Sequence, residues 1–321
     1  MERRRLGRTR LELSRIGLGC GNFGGIGSAP ELFGAGETRE QAFELMDAAW
    51  AAGVTFFDTA ASYGGGRSER WVGEWRAARE APVVLSTKVY WSVSGDPADR
   101  GLSYTRIMRE LEGSLSRLGV DAVDMYLTHE PDPETPIEET LRALDELVRS
   151  GKVRAIGASN LDARQLEEAL ETSERLGLAR FEWVQNEYSL LRRRAEGDVL
   201  PLCEGEGLGF TPFSPLAGGW LTGKYGRDGG YPAGSRMTLR PDPYRDLETG
   251  ETFAAIDAFA GAAAARGVEP ATLAVAWVLA HPGVTAVVVG PRRREQLASA
   301  LAAADVRLTP EERDGLTGLF A

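Results

Sequence analysis

The sequence predicts a closed (β/α)8 barrel, an α/β fold in which eight parallel strands alternate with helices. Short β-branched or apolar runs alternate with longer stretches whose apolar residues recur every three to four positions. Polar side chains also follow several of the runs, as at a barrel rim. A doubly wound open sheet is the alternative. The eight predicted strands begin at Ile16, Val54, Val83, Val123, Val153, Phe181, Leu208 and Val284.

Helices are predicted between these strands over residues 38–52, 68–79, 103–118, 136–149, 162–176 and 195–206. In Thr135-Pro136-Ile137-Glu138, the threonine is expected to cap a helix that has proline at its first position. The run Thr309-Pro310-Glu311-Glu312 predicts a terminal helix in the same way. Glycine is typical just past a helix end, and it stands there at Gly53, Gly119, Gly151, Gly177 and Gly267.

Three segments depart from this alternation. Residues 2–15 contain two short strand patterns around a Gly-Arg-Thr turn and predict an N-terminal β-hairpin. Residues 21–36 are rich in glycine, and residues 218–250 combine glycine, proline and charge with little periodicity. We expect both to form long loops on the rim where barrel active sites lie, because long loops in compact domains are usually functional or mobile.

Composition limits the possible functions. The 321 residues fit a single barrel domain spanning 1–321, and 43% hydrophobic with 26% charged residues describes an ordinary soluble protein. A net charge of -10 argues against a nucleic-acid partner. The two cysteines and two histidines show no metal-binding spacing, so we expect no metal site. No signal peptide or membrane-spanning run is recognisable, which makes a cytoplasmic location the expectation.

The most informative stretch follows the second predicted strand. An apolar run from Val54 to Phe57 ends at Asp58, and a glycine-rich loop holding Tyr63 leads to a helix that opens at Ser68. Residues at a strand end and in the next loop project from the same sheet edge, so Asp58 and Tyr63 can converge on one pocket. Either residue alone also has an ordinary role, because aspartate often caps a turn and a loop tyrosine often packs on the surface.

Two further polar residues follow neighbouring strands. Lys88 ends the third predicted strand and His129 ends the fourth. Asp58, Tyr63, Lys88 and His129 are therefore expected at one edge of the sheet. A structural salt-bridge cluster is the alternative to a catalytic site.

The whole chain resembles the aldo-keto reductase family, whose members are barrels that reduce aldehydes and ketones with NADPH. In that family an Asp, a Tyr, a Lys and a His form a catalytic tetrad, and the resemblance places it on the four residues named above. The matching motifs occur in order as Gly17-Leu18-Gly19, Phe57-Asp58-Thr59-Ala60, Ser86-Thr87-Lys88, Asp124 to His129, Gly157-Ala158-Ser159-Asn160, Ser214-Pro215-Leu216-Ala217-Gly218 and Gln296-Leu297.

The four residues suggest a division of labour. A lysine ammonium beside a tyrosine favours the phenolate, so Lys88 is expected to make Tyr63 more acidic, while Asp58 keeps Lys88 charged. His129 can offer a second donor to a substrate carbonyl oxygen. Since none of these groups can supply a hydride, a nicotinamide cofactor is implied. No GxGxxG motif follows a strand as in a Rossmann site, so the barrel itself must hold the dinucleotide.

The resemblance also implies a cofactor site. Ser159, Asn160 and Gln185 would hold the nicotinamide carboxamide and Phe213 would stack on its ring, although caps and core packing are the ordinary alternatives. The complete predicted set is Gly21, Asn22, Asp58, Ser159, Asn160, Gln185, Phe213, Ser214, Leu216, Gly218, Lys224, Arg236, Gly290, Arg292 and Gln296. The predicted substrate contacts are Phe23, Tyr63, Trp91 and His129.

The segment Gly290-Pro291-Arg292-Arg293-Arg294 predicts a basic helix start, which suits the 2'-phosphate of NADP. A solvated charge run is the alternative. Ser299-Ala300 stands where relatives usually place an acidic residue and asparagine against the adenine, so NAD stays open as the less favoured cofactor.

The favoured function is therefore NADPH-dependent reduction of aldehydes or ketones. A sugar or polyol dehydrogenase of the same family is one alternative. A cofactor-sensing regulatory protein like the β subunits of voltage-gated potassium channels is another, because they share the fold and cofactor. We expect a small carbonyl compound as partner and no membrane or nucleic acid, and the sequence predicts no oligomeric state.

Overall fold

A computed structural model describes residues 1–227 and 230–320. Eight strands form one parallel sheet in the order β10-β3-β4-β5-β6-β7-β8-β9, as the sequence predicts. The strands are β1 (Arg3–Arg5), β2 (Glu12–Ser14), β3 (Ile16–Gly19), β4 (Phe56–Asp58), β5 (Val84–Val89), β6 (Val123–Thr128), β7 (Val153–Ser159), β8 (Trp183–Gln185), β9 (Gly209–Phe210) and β10 (Val287–Val289).

The sheet closes on itself between its first and last strands. The Thr285 amide donates to the Phe210 carbonyl at 2.8 Å, and the Val288 amide donates to the Pro212 carbonyl at 2.8 Å. These bonds bring the backbone beside β9 against the backbone of the β10 region. The closed barrel is thereby confirmed, and the open doubly wound sheet is excluded.

Helices surround the barrel. Five predicted helices are confirmed to within one residue at each end, but the sixth is interrupted at Asp198, whose φ of -139° and ψ of -70° are not helical. The helices are α1 (Arg39–Ala51), α2 (Arg67–Arg79), α3 (Tyr104–Leu118), α4 (Ile137–Arg149), α5 (Ala163–Leu176), α6 (Val199–Glu206), α7 (Arg236–Leu239), α8 (Gly250–Ala265), α9 (Pro270–Leu279), α10 (Arg294–Ala302) and α11 (Pro310–Gly318).

The predicted helix starts differ in outcome. At α11 the Thr309 side chain accepts from the Glu312 amide and Glu312 reciprocates, so this capping box is confirmed. The cap predicted at Thr135 is wrong. Its hydroxyl donates instead to Asp132 at 2.7 Å, and Pro136 occupies the N-cap position of α4. The nearby carboxylate competes with the helix amides for the threonine, a tertiary contact that the local motif does not reveal.

The N-terminal hairpin closes the amino-terminal end of the barrel. Strands β1 and β2 pair antiparallel, with Arg4 opposite Leu13. Leu6 and Leu13 are fully buried and pack in the barrel interior with Phe56, Met125 and Trp183. The predicted hairpin is therefore confirmed, and its two leucines complete the interior layer.

Large and small side chains alternate inside the barrel. A Cβ added at Gly17 would lie 2.4 Å from the Phe56 ring, and one added at Gly157 would lie 2.4 Å from the Trp183 indole nitrogen. Glycines on β3 and β7 thus leave room for aromatic rings on the next strands. A small barrel can fill its taper only when neighbouring positions compensate in size.

The second predicted rim loop, residues 218–250, contains more structure than the sequence suggests. Helix α7 and two 3-10 segments, Ala217–Thr222 and Asp242–Leu247, lie in or beside it. An apolar cluster independent of the barrel interior holds this segment, and it consists of Ala217, Trp220, Tyr225, Met237, Tyr244, Leu247 and Ile256. The prediction of a long rim segment is confirmed. The aromatic residues within it are spaced too irregularly in sequence to predict its helical turns.

Among the helices that the structure describes, none is both long and apolar enough to span a bilayer.

We expect Gly157→Ala to lower the free energy of unfolding by about 1–3 kcal/mol, because the new methyl group overlaps the Trp183 ring in a filled interior. The shift in the urea midpoint measures this change. Gly205→Ala is the matched control, since a Cβ there meets nothing within 4 Å inside α6 and should stabilise by up to about 1 kcal/mol. Equal midpoints for the two variants would contradict the packing argument.

Candidate active site

The four predicted catalytic residues meet at the carboxyl-terminal end of the barrel. Asp58 is the last residue of β4, and Tyr63 lies in the following loop at the start of a 3-10 turn. Lys88 lies within β5, and His129 follows the last residue of β6. Parallel neighbouring strands thus deliver all four side chains to one edge of the sheet, as the sequence predicts.

Asp58 and Lys88 form a buried ion pair. The Lys88 Nζ lies 2.5 Å from the Asp58 Oδ2, and both side chains are at least 96% buried. The ammonium also donates to the Thr59 carbonyl at 2.9 Å and to the Tyr63 hydroxyl at 3.3 Å. Burial alone would lower the pKa of Lys88, but the Asp58 charge and the Tyr63 hydroxyl raise it above its usual value. Lys88 is therefore charged at neutral pH.

The second carboxylate oxygen of Asp58, Oδ1, accepts two hydrogen bonds. The Ser86 hydroxyl donates to Oδ1 at 2.5 Å, and the Gln185 amide donates to the same oxygen at 3.1 Å. The oxygens of a buried carboxylate need such hydrogen-bond donors because water cannot supply them. Ser86 and Gln185 thus fix the orientation of the ion pair.

The Tyr63 hydroxyl lies between the Lys88 ammonium and the His129 imidazole. Its hydroxyl lies 3.3 Å from the Lys88 Nζ and 3.4 Å from the His129 Nε2. Burial raises the pKa of Tyr63 above its usual value, and the Lys88 charge only partly offsets this. Lys88 thus lowers the pKa of Tyr63 as the sequence predicts, but desolvation and the Asp58 charge together outweigh the ammonium. Tyr63 consequently holds its proton at neutral pH.

His129 presents one nitrogen to this site and buries the other. Its Nδ1 is buried and has no hydrogen-bond partner among the described residues. A buried N–H without an acceptor is rarer than a buried acceptor without a donor, so we assign the proton to Nε2, facing Tyr63. Burial lowers the pKa of His129 well below its usual value, and the Lys88 charge lowers it further. His129 is thus a neutral donor.

A cleft of about 1220 Å³ opens above these residues. Tyr63, His129 and Asp58 line it, whereas Lys88 lies beneath its floor. All fifteen predicted cofactor residues also line it, from Gly21 and Asn22 to Gly290, Arg292 and Gln296. Among the described residues, the predicted cofactor positions therefore share one space with the predicted catalytic ones.

One predicted substrate contact is misplaced. Trp91 is half-buried and lines the cleft. Phe23 is 1% exposed, packs in the core between the barrel and its helices, and is not part of the cleft wall. The predicted substrate role of Phe23 is therefore wrong. Ile26, three residues further on, lines the cleft instead.

Three amide or hydroxyl side chains lie together beside the tetrad. The Ser159 hydroxyl donates to the Gln185 carbonyl at 2.6 Å, and the Asn160 side-chain amide donates to the His129 carbonyl at 3.0 Å. Two non-glycine residues of the cleft wall have positive φ, Asn160 at 62° and Ser214 at 55°. Backbone strain in non-glycine residues is typical of binding sites, where the surrounding structure enforces it.

Phe213 lies in the loop after its strand rather than within the strand. Strand β9 ends at Phe210, so Phe213 is in the loop after it, where its amide donates to the Asn186 carbonyl at 3.1 Å. Its half-buried ring lines the cleft together with Ser214, Leu216 and Gly218. The predicted position in the cleft is reached from a loop rather than from the strand.

The outer end of the cleft concentrates positive charge. Lys224, Arg236, Arg292 and Arg293 all line it. Burial lowers the pKa of Lys224, and the nearby charges of Arg293, Arg236 and Arg292 lower it further. Burial and neighbouring cations also lower the pKa of Arg236. Neighbouring cations that disfavour each other's charge would be stabilised by an anion between them.

Glu37 also lines the cleft, and the sequence analysis did not indicate a role for it. Its carboxylate is 97% buried and lies 2.6 Å from the Arg292 Nε, while the Arg292 Nη1 donates to the Gly234 carbonyl at 2.8 Å. These contacts join both rim segments to the last barrel loop. Glu37 and Arg292 are too far apart in sequence for any local pattern to reveal the pair. Ser86, by contrast, was visible within Ser86-Thr87-Lys88 but was not assigned a role.

No group of three or more histidine, cysteine, aspartate or glutamate side chains with metal-binding geometry occurs within residues 1–227 and 230–320.

Comparison with known proteins identifies the class of this barrel. The model of the aldo/keto reductase family matches residues 15–319. The protein is thus an oxidoreductase of a class that uses nicotinamide cofactors. The chain belongs to the aldo/keto reductase family.

Three relatives illustrate the variety of proteins that the chain resembles. The chain is 39% identical to the uncharacterized oxidoreductase YrpG of Bacillus subtilis, with 100% of this chain and 96% of the relative covered. It is 37% identical to a probable voltage-gated potassium channel subunit beta of Oryza sativa, with 98% and 95% covered. It is 34% identical to the NADH-specific methylglyoxal reductase of Escherichia coli, with 95% and 94% covered.

We expect the imidazole of His129 to stay neutral between about pH 8 and pH 6, the window in which an ordinary histidine gains its proton. Lowering the pH through this window should not protonate it, because burial and Lys88 hold its pKa below the window. An NMR titration of both histidines measures this, with His129→Gln to assign the signal. A His129 midpoint near 6.5 would contradict the described burial.

Proposed function

We propose that this protein is an NADPH-dependent reductase of aldehydes or ketones in which Tyr63 is the general acid. One observation carries the proposal: the Tyr63 hydroxyl lies 3.3 Å from the Lys88 Nζ and 3.4 Å from the His129 Nε2 in the wall of a large cleft. Two donors directed at one oxygen stabilise the alkoxide that develops when a carbonyl is reduced.

The hydrogen-bond directions support this role. An ammonium only donates, so the Tyr63 oxygen accepts from Lys88 and its own proton is free for the cleft. The Nε2–H of His129 then donates to the same substrate oxygen and orients it. As negative charge develops there, Tyr63 transfers its proton, and the Lys88 charge beside it stabilises the phenolate that remains.

The residues present fit a nicotinamide dinucleotide, which would supply the hydride when bound. Ser159, Asn160 and Gln185 would hold the carboxamide beside the tetrad. The Gln185 amide nitrogen is engaged by Asp58, which leaves its oxygen without a described donor and available to the carboxamide nitrogen. Phe213 would lie against the ring, and the cationic end of the cleft would take the phosphates.

NADPH is favoured over NADH because Lys224, Arg236, Arg292 and Arg293 line one cleft, and among the described residues only Arg292 has a carboxylate partner, Glu37. Guanidinium groups suit phosphate oxygens, since their donors form a planar fork. NADH is the competing cofactor, because a relative at 34% identity is named as NADH-specific.

A cofactor-binding regulatory protein is the second candidate function, since one relative is named as a potassium channel subunit. Both candidates require the same cofactor site. They differ in turnover: a reductase consumes NADPH repeatedly in the presence of an aldehyde, whereas a cofactor sensor binds it with little or no turnover.

Tyr63→Phe should reduce the turnover number for aldehyde reduction by about 10²-fold or more, the usual contribution of a general acid, while retaining NADPH binding. NADPH fluorescence measures binding, and the loss of NADPH absorbance measures turnover. Tyr90→Phe is the matched control, because Tyr90 follows β5 but does not line the cleft. Unchanged turnover in Tyr63→Phe would remove the assignment of the acid.

Arg292→Ala should weaken NADPH binding by about tenfold or more, as expected when a hydrogen bond between charged groups is lost, and weaken NADH binding much less. Fluorescence titration with both cofactors gives the ratio of dissociation constants. The substitution also leaves Glu37 without its partner Arg292, and taking the ratio removes any effect of this loss that is common to both cofactors. Arg294→Ala is the control, since Arg294 is exposed and outside the cleft wall. Equal losses for both cofactors would overturn the 2'-phosphate assignment.

A further inference from the structure

Three consecutive glycines follow Tyr63 in its loop. Gly64, Gly65 and Gly66 have φ values of 57°, 65° and 80°, in the left-handed region that glycine adopts freely. The Tyr63 hydroxyl nevertheless lies 3.3 Å from the Lys88 Nζ, which strand β5 holds. Since the glycines have no side chains to restrain the loop, contacts at its two ends have to fix this separation.

A hydrogen-bonded chain of two hydroxyl groups closes the base of the loop. Thr59 directly follows β4, where the loop begins, and Ser68 lies in the first turn of α2, where it ends. Their Oγ atoms lie 2.7 Å apart, and the Ser68 Oγ also donates to the Cys20 carbonyl at 2.9 Å. All three residues are fully buried. We call Thr59, Ser68 and the Cys20 carbonyl the hydroxyl chain.

The directions of these hydrogen bonds follow from the number of protons. A hydroxyl has one proton and a carbonyl only accepts, so the Ser68 proton lies towards Cys20. The Thr59 hydroxyl then donates to the Ser68 oxygen. The Cys20 amide in turn donates to the Asp58 carbonyl at 2.8 Å. The hydroxyl chain thus joins the start of α2 to the ends of β3 and β4.

The next residue of α2 joins the same helix end to β5. Glu69 is fully buried, and its carboxylate accepts from the Thr87 hydroxyl at 2.5 Å and from the Arg117 Nε at 2.6 Å. Thr87 directly precedes Lys88 on β5. The end of the loop is therefore fixed to the strand that carries Lys88 as well as to β3 and β4.

Thr59 connects the hydroxyl chain to the buried ion pair. Its carbonyl accepts from the Lys88 Nζ at 2.9 Å, and its amide donates to the Ser86 carbonyl at 3.0 Å. Backbone atoms of Thr59 thus hold the ammonium, while its side chain holds the loop that carries the phenol. Thr59 influences both groups although it is not part of the cleft wall.

We propose that Thr59 and Ser68 are positioning residues that hold the Tyr63 hydroxyl at hydrogen-bond distance from Lys88. The inference rests on the proposed reductase function, in which Tyr63 is the acid, and adds the residues that place it. A methyl group cannot replace the Thr59 hydroxyl without movement. Carbon and oxygen in contact lie about 3.3 Å apart or more, whereas the two Oγ atoms lie 2.7 Å apart.

The test measures the rate of NADPH oxidation in a single turnover, with the aldehyde that the parent protein reduces fastest among a panel of aliphatic and aromatic aldehydes. We expect Thr59→Val to slow this step by about tenfold or more, because small displacements of reacting groups have large effects on rate. NADPH binding, measured by fluorescence, should be unaltered. Thr59→Ser keeps the hydroxyl and should restore most of the rate.

Thr140→Val is the matched control. Thr140 is buried like Thr59, its hydroxyl donates to the Leu102 carbonyl at 3.1 Å, and it lies outside the cleft wall. The same chemical change should lower the urea midpoint in both variants but slow the single turnover only at Thr59. A purely structural role for the hydroxyl chain predicts instead that both variants lose stability and that neither loses rate.

The hydroxyl chain also predicts non-additive effects. Ser68→Ala removes both hydrogen bonds of the chain, so it should slow the single turnover at least as much as Thr59→Val. The double variant should be no slower than Ser68→Ala, because the two residues act as a unit. In a Tyr63→Phe background, Thr59→Val should cause no further loss, because the group that it positions is absent.

Three outcomes would overturn the inference and leave the reductase function intact. They are an unchanged rate in Thr59→Val, equal losses in Thr59→Ser and Thr59→Val, and a loss in the Tyr63→Phe background as large as in the parent. Absence of NADPH oxidation by the parent protein with every aldehyde of the panel would instead reject the reductase function and the inference with it.

Discussion

The buried ion pair between Asp58 and Lys88 is the constraint on which the rest of the site depends. Removing two charges from water is unfavourable unless every remaining donor and acceptor finds a partner. Here the partners come from Ser86 on β5, Gln185 on β8 and the Thr59 carbonyl after β4. The pair is therefore complete only when the barrel is assembled. Removing one partner would leave an uncompensated charge at a price of about 3–5 kcal/mol.

The site's electrostatics follow from that pair. Burial keeps the proton on Tyr63 and removes it from His129; the Lys88 charge opposes the first effect and reinforces the second. The Asp58 charge meanwhile opposes the phenolate. An acidic chain of net charge -10 nevertheless places Lys224, Arg236, Arg292 and Arg293 along the wall of one cleft.

Much of this arrangement could be predicted from local patterns. The alternation of strands and helices, five helix limits and the capping box at Thr309 depend on neighbouring residues, and each is confirmed. The convergence of Asp58, Tyr63, Lys88 and His129 was also predictable, because parallel strands present their carboxyl ends at one edge. Two predictions were wrong: an unbroken sixth helix and a helix cap at Thr135. In both places an aspartate side chain, Asp198 or Asp132, offers a competing hydrogen bond.

By itself, the sequence determined the barrel, its polar rim and the identity of the four central side chains, since periodicity and residue type are local properties. Tertiary structure decided the protonation states and the shape of the cleft. Whether burial or the Lys88 charge has the larger effect on the pKa of Tyr63 depends on distances and desolvation in the folded protein. The spacing of residues along the sequence does not reveal them. The burial of Phe23 and the pairing of Glu37 with Arg292 were likewise decided by segments that meet only in the folded chain.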